Sequence, residues 1–187
     1  MTKNPPQSRI RLFVNALTLS RVPVTIAFNM AIFLKEGRLF VCSALFLFLF
    51  LSDYMDGKLA RRYRVESRPG AVLDVATDFF FILSANYYLY QRGLLPFGIL
   101  AVTLIKFSEF LFTSYLSNRK ARRERVFLFD PIGRFVSIVL YAMPIQTLLL
   151  ESLIDRTVFD QIMVLTVVLM SALSLVSIYQ RSRQLIR

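Results

Sequence analysis

The chain has 187 residues, 56% of them hydrophobic and 19% charged, with a net charge of +11. So much apolar surface excludes an ordinary soluble domain of this length, and apolar runs separated by short basic loops leave one polytopic membrane domain, residues 1–187, as the class. The lone cysteine, Cys42, excludes an intrachain disulfide framework, and the absence of histidine leaves acid–base and metal chemistry to the twelve carboxylates.

In chain order, MTKNPPQSRIR is polar and basic and carries no signal-peptide hydrophobic region. Residues 7–18 suit an interfacial amphipathic helix, centred on about 7–16, that leads into the first span. Six helical spans of roughly 20 residues follow, at about 17–34, 38–57, 70–90, 95–117, 131–150 and 160–179, giving an all-α bundle. Pro23 and Pro144 lie within spans as local kinks. Pro69, Pro96 and Pro131 sit near helix starts, where the missing donor costs nothing.

The basic residues gather on one side. Lys3, Arg9 and Arg11, the group Lys58–Arg68, the run Arg119–Arg125 with Arg134, and Arg181, Arg183 and Arg187 all fall in alternate loops or tails, against only Lys35, Arg38, Arg92 and Arg156 opposite. Positive-inside topology places both termini and the second loop in the cytoplasm, and it accounts for the excess charge without nucleic acid.

The junction of the second and third spans reads SDYMDGKLARRYRVESRPGAVLDVATD. Four carboxylates at the edge of hydrocarbon are costly to keep ionised, so groups of this kind face a bundle interior where cations or partners offset the cost. Asp53 and Asp56 are three apart and share a helical face; Asp74 and Asp78 are four apart and form a second stripe with Gly70. Packed together, the two stripes converge their oxygens on a volume suited to two divalent cations and a phosphoryl group. An all-oxygen donor set favours Mg2+, Mn2+ or Ca2+ over zinc. Gly57, Ala60 and Gly70 remove bulk on the same faces, which suits either close helix packing or a flat ligand, and Arg61 can meet phosphate or hold a carboxylate.

The pattern Asp-x2-Asp-Gly-x2-Ala-Arg-x8-Gly-x3-Asp-x3-Asp runs without a gap from Asp53 to Asp78. It resembles the defining motif of the CDP-alcohol phosphatidyltransferases, and Asn15-x2-Thr18-x2-Arg21 is similar to that family's first-helix pattern. The resemblance implies that Asp53, Asp56, Asp74 and Asp78 surround two divalent ions, Mg2+ or Mn2+, that hold the pyrophosphate of CDP-diacylglycerol. It implies Asp78 as general base toward the acceptor hydroxyl, Gly57, Ala60 and Gly70 lining the cytidine pocket, Arg61 near the phosphates, and Thr18 at the nucleotide end. It also implies a homodimer in a bacterial inner membrane, with the site facing the cytoplasm.

For the acceptor, the candidates outside the motif are Lys106, Arg119 and Arg134. Lys106 also stands three residues before Glu109, where a structural ion pair is the plain alternative. Concentrated guanidinium groups favour an acceptor bearing its own phosphate, glycerol 3-phosphate first, as in the phosphatidylglycerophosphate synthases that Arg134 after Gly133 resembles. The chain departs from those synthases in reading Asp74-Val75-Ala76-Thr77-Asp78-Phe79 and Ser108-Glu109, which keeps inositol phosphate, inositol and serine open. Two readings of other classes compete: a cation carrier, against which the acids sit near one interface with no inverted repeat, and an idle lipid-binding subunit, against which the motif is intact.

Overall fold

A computed structural model describes residues 7–121 and 130–186, with side chains described over 8–116 and 130–183. The described residues form six α-helices and no strand: α1 (Gln7–Ala31), α2 (Arg38–Tyr63), α3 (Arg68–Gln91), α4 (Phe97–Ala121), α5 (Pro131–Leu153) and α6 (Arg156–Ile186). Each of the six is long and apolar enough to cross a membrane. Arg119 and Lys120 belong by backbone to the end of α4, but their side chains, and all of Arg122, Arg123 and Arg125, lie outside the described residues.

Helix ends differ from the expected spans because apolar composition marks hydrocarbon length while hydrogen bonds mark helix length. Residues 7–16 are helical and form the first turns of α1, continuous with the span. The apolar residues Phe33 and Leu34 leave α1, their amides bonding to Met30 and Ala31 carbonyls in a tightened last turn. Beyond Gly57, α2 continues to Tyr63, where Arg61 and Arg62 in the last turn suit the negative end of the helix dipole.

The chain clusters into two compact units, Met1–Phe81 and Ile82–Arg187, with the boundary inside α3. In the first, α1 packs on α2 and touches α3 through Phe28, whose ring meets Phe81 edge-on at 5.3 Å, with Phe46 of α2 beside Phe81. In the second, α4 and α5 both pack on α6 around Val136, Leu140, Met143, Phe159 and Met163. Gly98 lets α4 approach α6 closely, since a Cβ there would stand 2.7 Å from Val167.

Polarity is arranged inside out. Phe40, Leu153 and Met30 are largely exposed, whereas Thr18, Arg21, Thr25 and Asn29 are buried on one stripe of α1 at helical spacing. Where lipid is the solvent, apolar side chains face outward and polar ones find partners within the protein.

Both αL residues that close helices do so in Schellman turns. After α3, Gly93 (φ 71°) donates to Tyr90 and Leu94 to Leu89. After α2 the same pair of bonds runs from Arg64 to Arg61 and from buried Val65 to Ala60, but Arg64 (φ 53°) carries a side chain in a conformation that disfavours one. Arg64→Gly is expected to stabilise the chain by about 1 kcal/mol, read as a rise in Tm of the purified protein.

Candidate metal centre

Asp53 and Asp56 stand on α2, and Asp74 and Asp78 on α3. The turn between the helices is set by Ser67, whose hydroxyl accepts from the Gly70 amide at 3.2 Å and caps α3, with Pro69 in its first turn. Arg64–Ser67 is therefore a four-residue link that returns the chain antiparallel and brings the two acidic stripes face to face.

The third contributor is α1. Arg21, whose side chain is only 2% exposed, reaches all four carboxylates. Its Nη1 donates to Asp53 Oδ1 at 2.9 Å and to Asp78 Oδ1 at 2.6 Å. Its Nη2 donates to Asp74 Oδ1 and lies 3.5 Å from Asp56 Oδ2. Each terminal nitrogen thus joins one acid of α2 to one of α3. One turn earlier, the Thr18 hydroxyl donates to Asp56 Oδ2 at 2.8 Å, which orients the most buried of the four acids.

Asp53, Asp56 and Asp74 can place one oxygen each within 4.8 Å of the others, a spacing that suits a cation. Asp78 joins this trio through Arg21. The side chains of Asp53 and Asp74 are 41% and 42% exposed, so the group is open to a ligand on one side while Asp56 and Arg21 close the other. The donors are all carboxylate oxygens, the set that hard divalent ions take. The residues present therefore fit magnesium or manganese.

The small residues lie where bulk would matter. A Cβ on Gly57 would meet the Arg61 guanidinium at 3.3 Å, so the absent side chain leaves room for Arg61 to fold back along α2. A Cβ on Gly70 would stand 3.0 Å from the Ser67 hydroxyl and 3.5 Å from Asn15 Oδ1, which brings α1 against the start of α3. Ala60, half-buried, is the residue whose carbonyl closes the α2 turn.

Sequence reasoning gave Thr18 a role but left Arg21, in the same helical pattern, without one. The signal was available, because an arginine inside the span at about 17–34 needs buried partners.

In the second unit, Lys106 sits in a closed polar network. Its Nζ donates to Glu109 Oε2 at 2.8 Å and to the Ser177 hydroxyl at 2.5 Å, and Ser177 in turn donates to Asp130 Oδ2 at 2.6 Å. Arg181 donates through Nε to Asp130 Oδ1 at 2.5 Å and through Nη1 to Thr113 Oγ1 at 2.8 Å, with its guanidinium over the Phe110 ring. Asp130 is also the N-cap of α5, accepting from the Gly133 amide at 2.7 Å. Gly133 is required there, since a Cβ would fall 2.5 Å from Asp130 Oδ1, the oxygen that Arg181 holds, and 2.9 Å from the Ser177 hydroxyl. Two cations and two anions are balanced, so the structural ion pair that Lys106–Glu109 suggested is present and extended. Arg134, exposed in the first turn of α5, donates its amide to Asp130. Asp130, Ser177 and Arg181 went unrecognised in the sequence, where Arg181 read only as tail charge.

Residues 11–178 match the family description CDP-alcohol phosphatidyltransferase. A 56-residue stretch is 45% identical to a CMP-forming cardiolipin synthase of Streptomyces coelicolor, covering 30% of this chain and 26% of that protein, so the similarity spans about a quarter of the relative's length. The family match covers most of the chain, which therefore belongs to the CDP-alcohol phosphatidyltransferases.

Burial alone would raise the Asp130 carboxyl. The bonds from Ser177, the Gly133 amide and Arg181, together with the charge of Arg181, outweigh it and hold the group below the usual carboxylate range. A carboxyl lowered on folding adds stability above its unfolded value near 3.9, and that stability is lost as pH falls through the folded value. Asp130→Asn, which takes from buried Arg181 its nearest anion and leaves Glu109 facing two cations, is expected to cost about 3–5 kcal/mol near pH 7. The gap to wild type should shrink below about pH 4, as measured by unfolding in detergent across pH.

Proposed function

We propose that this member of the CDP-alcohol phosphatidyltransferases moves a phosphatidyl group from CDP-diacylglycerol to the hydroxyl of a small polar acceptor and releases CMP. The observation that carries the reading is the convergence of Asp53, Asp56 and Asp74 on one volume, with Asp78 tied to them through Arg21. A cation carrier would need acids spread across the membrane, whereas these four lie on neighbouring turns at the junction of two helices. The family match runs through both compact units, which supports one catalytic domain.

Asp53, Asp56, Asp74 and Asp78 would hold the metal pair, the first three with oxygens already close enough to share an ion. Divalent ions, when bound there, would supply charge neutralisation for the pyrophosphate and for the departing CMP. Thr18 keeps Asp56 turned toward the cluster. The backbone beside Gly57, Ala60 and Gly70 provides the cytidine surface, and Arg61, drawn back over Gly57, stands within reach of phosphate oxygens. Asp78 takes the proton of the acceptor hydroxyl. That oxygen forms the new bond to the lipid-side phosphorus as the bond to the CMP oxygen breaks. Positioning supplies much of the acceleration, since a carboxylate is a weak base.

Glycerol 3-phosphate remains the first acceptor, with Arg134 and Arg119 as its phosphate partners. Lys106, committed to Glu109 and Ser177, acts as a brace for that region rather than as a free anion receptor. Inositol phosphate, inositol and serine follow. Similarity to a CMP-forming cardiolipin synthase supports a second reading, in which the acceptor is itself a phospholipid. The protein works as a homodimer in a bacterial inner membrane, with the acidic centre and both termini on the cytoplasmic side, as the basic loops favour.

Purified protein supplied with CDP-diacylglycerol and a panel of radiolabelled acceptors, phosphatidylglycerol included, should yield one labelled lipid and CMP. No labelled lipid with any acceptor would overturn the transferase reading. Asp78→Asn should lower turnover by at least about a hundredfold, with Tm near that of wild type. Substantial residual turnover would remove Asp78 from the base role.

A further inference from the structure

We infer that Arg21 is a built-in counter-cation for the acidic centre: it holds the four aspartates in place before divalent ions arrive and gives up carboxylate oxygens when they bind. The inference rests on the metal-centre reading above and concerns how that centre is filled.

The geometry carries it. A guanidinium offers donors in a fixed planar fork, and here the two terminal nitrogens each bridge an acid of α2 to an acid of α3. The side chain is buried, so its charge is little screened. Without it, four carboxylates would repel one another at one helix junction, where the Thr18 hydroxyl on Asp56 is a neutral donor and carries no compensating charge. With it, the cluster still carries excess negative charge, which is what attracts divalent ions. The carboxylates of Asp53, Asp56 and Asp74 are at once the acceptors of Arg21 and the oxygens that can gather around a cation. An ion entering that space shares its ligands with a guanidinium and is repelled by it at close range.

Two consequences separate this role from that of a simple brace. A brace costs the same stability whether or not ions are present. A counter-cation matters most when they are absent, and its removal strengthens ion binding because a competitor and a like charge leave together. The loss of orientation on removal acts the other way, but repulsion against a doubly charged ion at contact distance is the larger effect.

The test uses the full chain in lipid nanodiscs as wild type, Arg21→Gln and Arg21→Lys, with Mn2+ binding followed by electron paramagnetic resonance and Tm measured in chelator and at saturating Mn2+. Arg21→Gln is expected to bind Mn2+ about tenfold more tightly than wild type. Its Tm in chelator should fall by roughly 10 °C, with most of that loss recovered at saturating Mn2+. Arg21→Lys keeps the charge but not the fork, so its Tm should also fall in chelator and recover with Mn2+. Unchanged or weaker Mn2+ binding by Arg21→Gln, or an equal Tm loss with and without Mn2+, would overturn the inference while leaving the metal centre standing. If Arg21→Gln folds under neither condition, the Arg21→Lys pair of Tm values decides. Wild type that takes up no Mn2+ would overturn the metal centre itself, and this inference with it.

Discussion

One guanidinium with four carboxylate partners sets the terms for the N-terminal half of the protein. Charges at membrane depth are tolerated when they are paired inside, and Arg21 pairs two acids on α2 with two on α3 from a position on α1. Three helices are thereby fixed about a single group. The buried polar stripe of α1, the apolar exterior and the close approach at Gly70 all follow from the need to bring that group and those acids together away from lipid.

The second unit obeys the same rule with the opposite outcome. Lys106, Arg181, Glu109 and Asp130 compensate one another through Ser177 and Thr113, and the network closes on the first turn of α5. Balanced charge and few open donors make a joint between helices. Unbalanced negative charge with two half-exposed acids leaves a cluster whose oxygens suit a cation. The two clusters draw on the same residue types, and the difference lies in how much charge remains after pairing.

Much of this was legible in the sequence. Intervals of three and four between aspartates placed each pair on one helical face, because helix geometry converts short spacing directly into position. Six apolar runs gave six helices for the same reason, with errors at ends such as Leu34 and Tyr63, where hydropathy says nothing about the last hydrogen bond. What escaped notice depends on distance along the chain. Asp130 meets Ser177 and Arg181 from 47 and 51 residues away, and Arg21 meets Asp78 from 57. No local interval encodes such pairings. They could have been sought only by asking which partner each buried charge must have.

The short link Arg64–Ser67 has a consequence for biogenesis. Asn15, Thr18, Arg21 and the four acids all lie upstream of Phe81, on helices joined by brief turns. A ribosome would therefore finish Arg21 and all four of these acids before the last three helices had been synthesised. Local helical hairpins close quickly, since little chain must be looped to join them. The newborn hairpin can thus hide its own acids from lipid during insertion, with no help from the part of the polypeptide still to come.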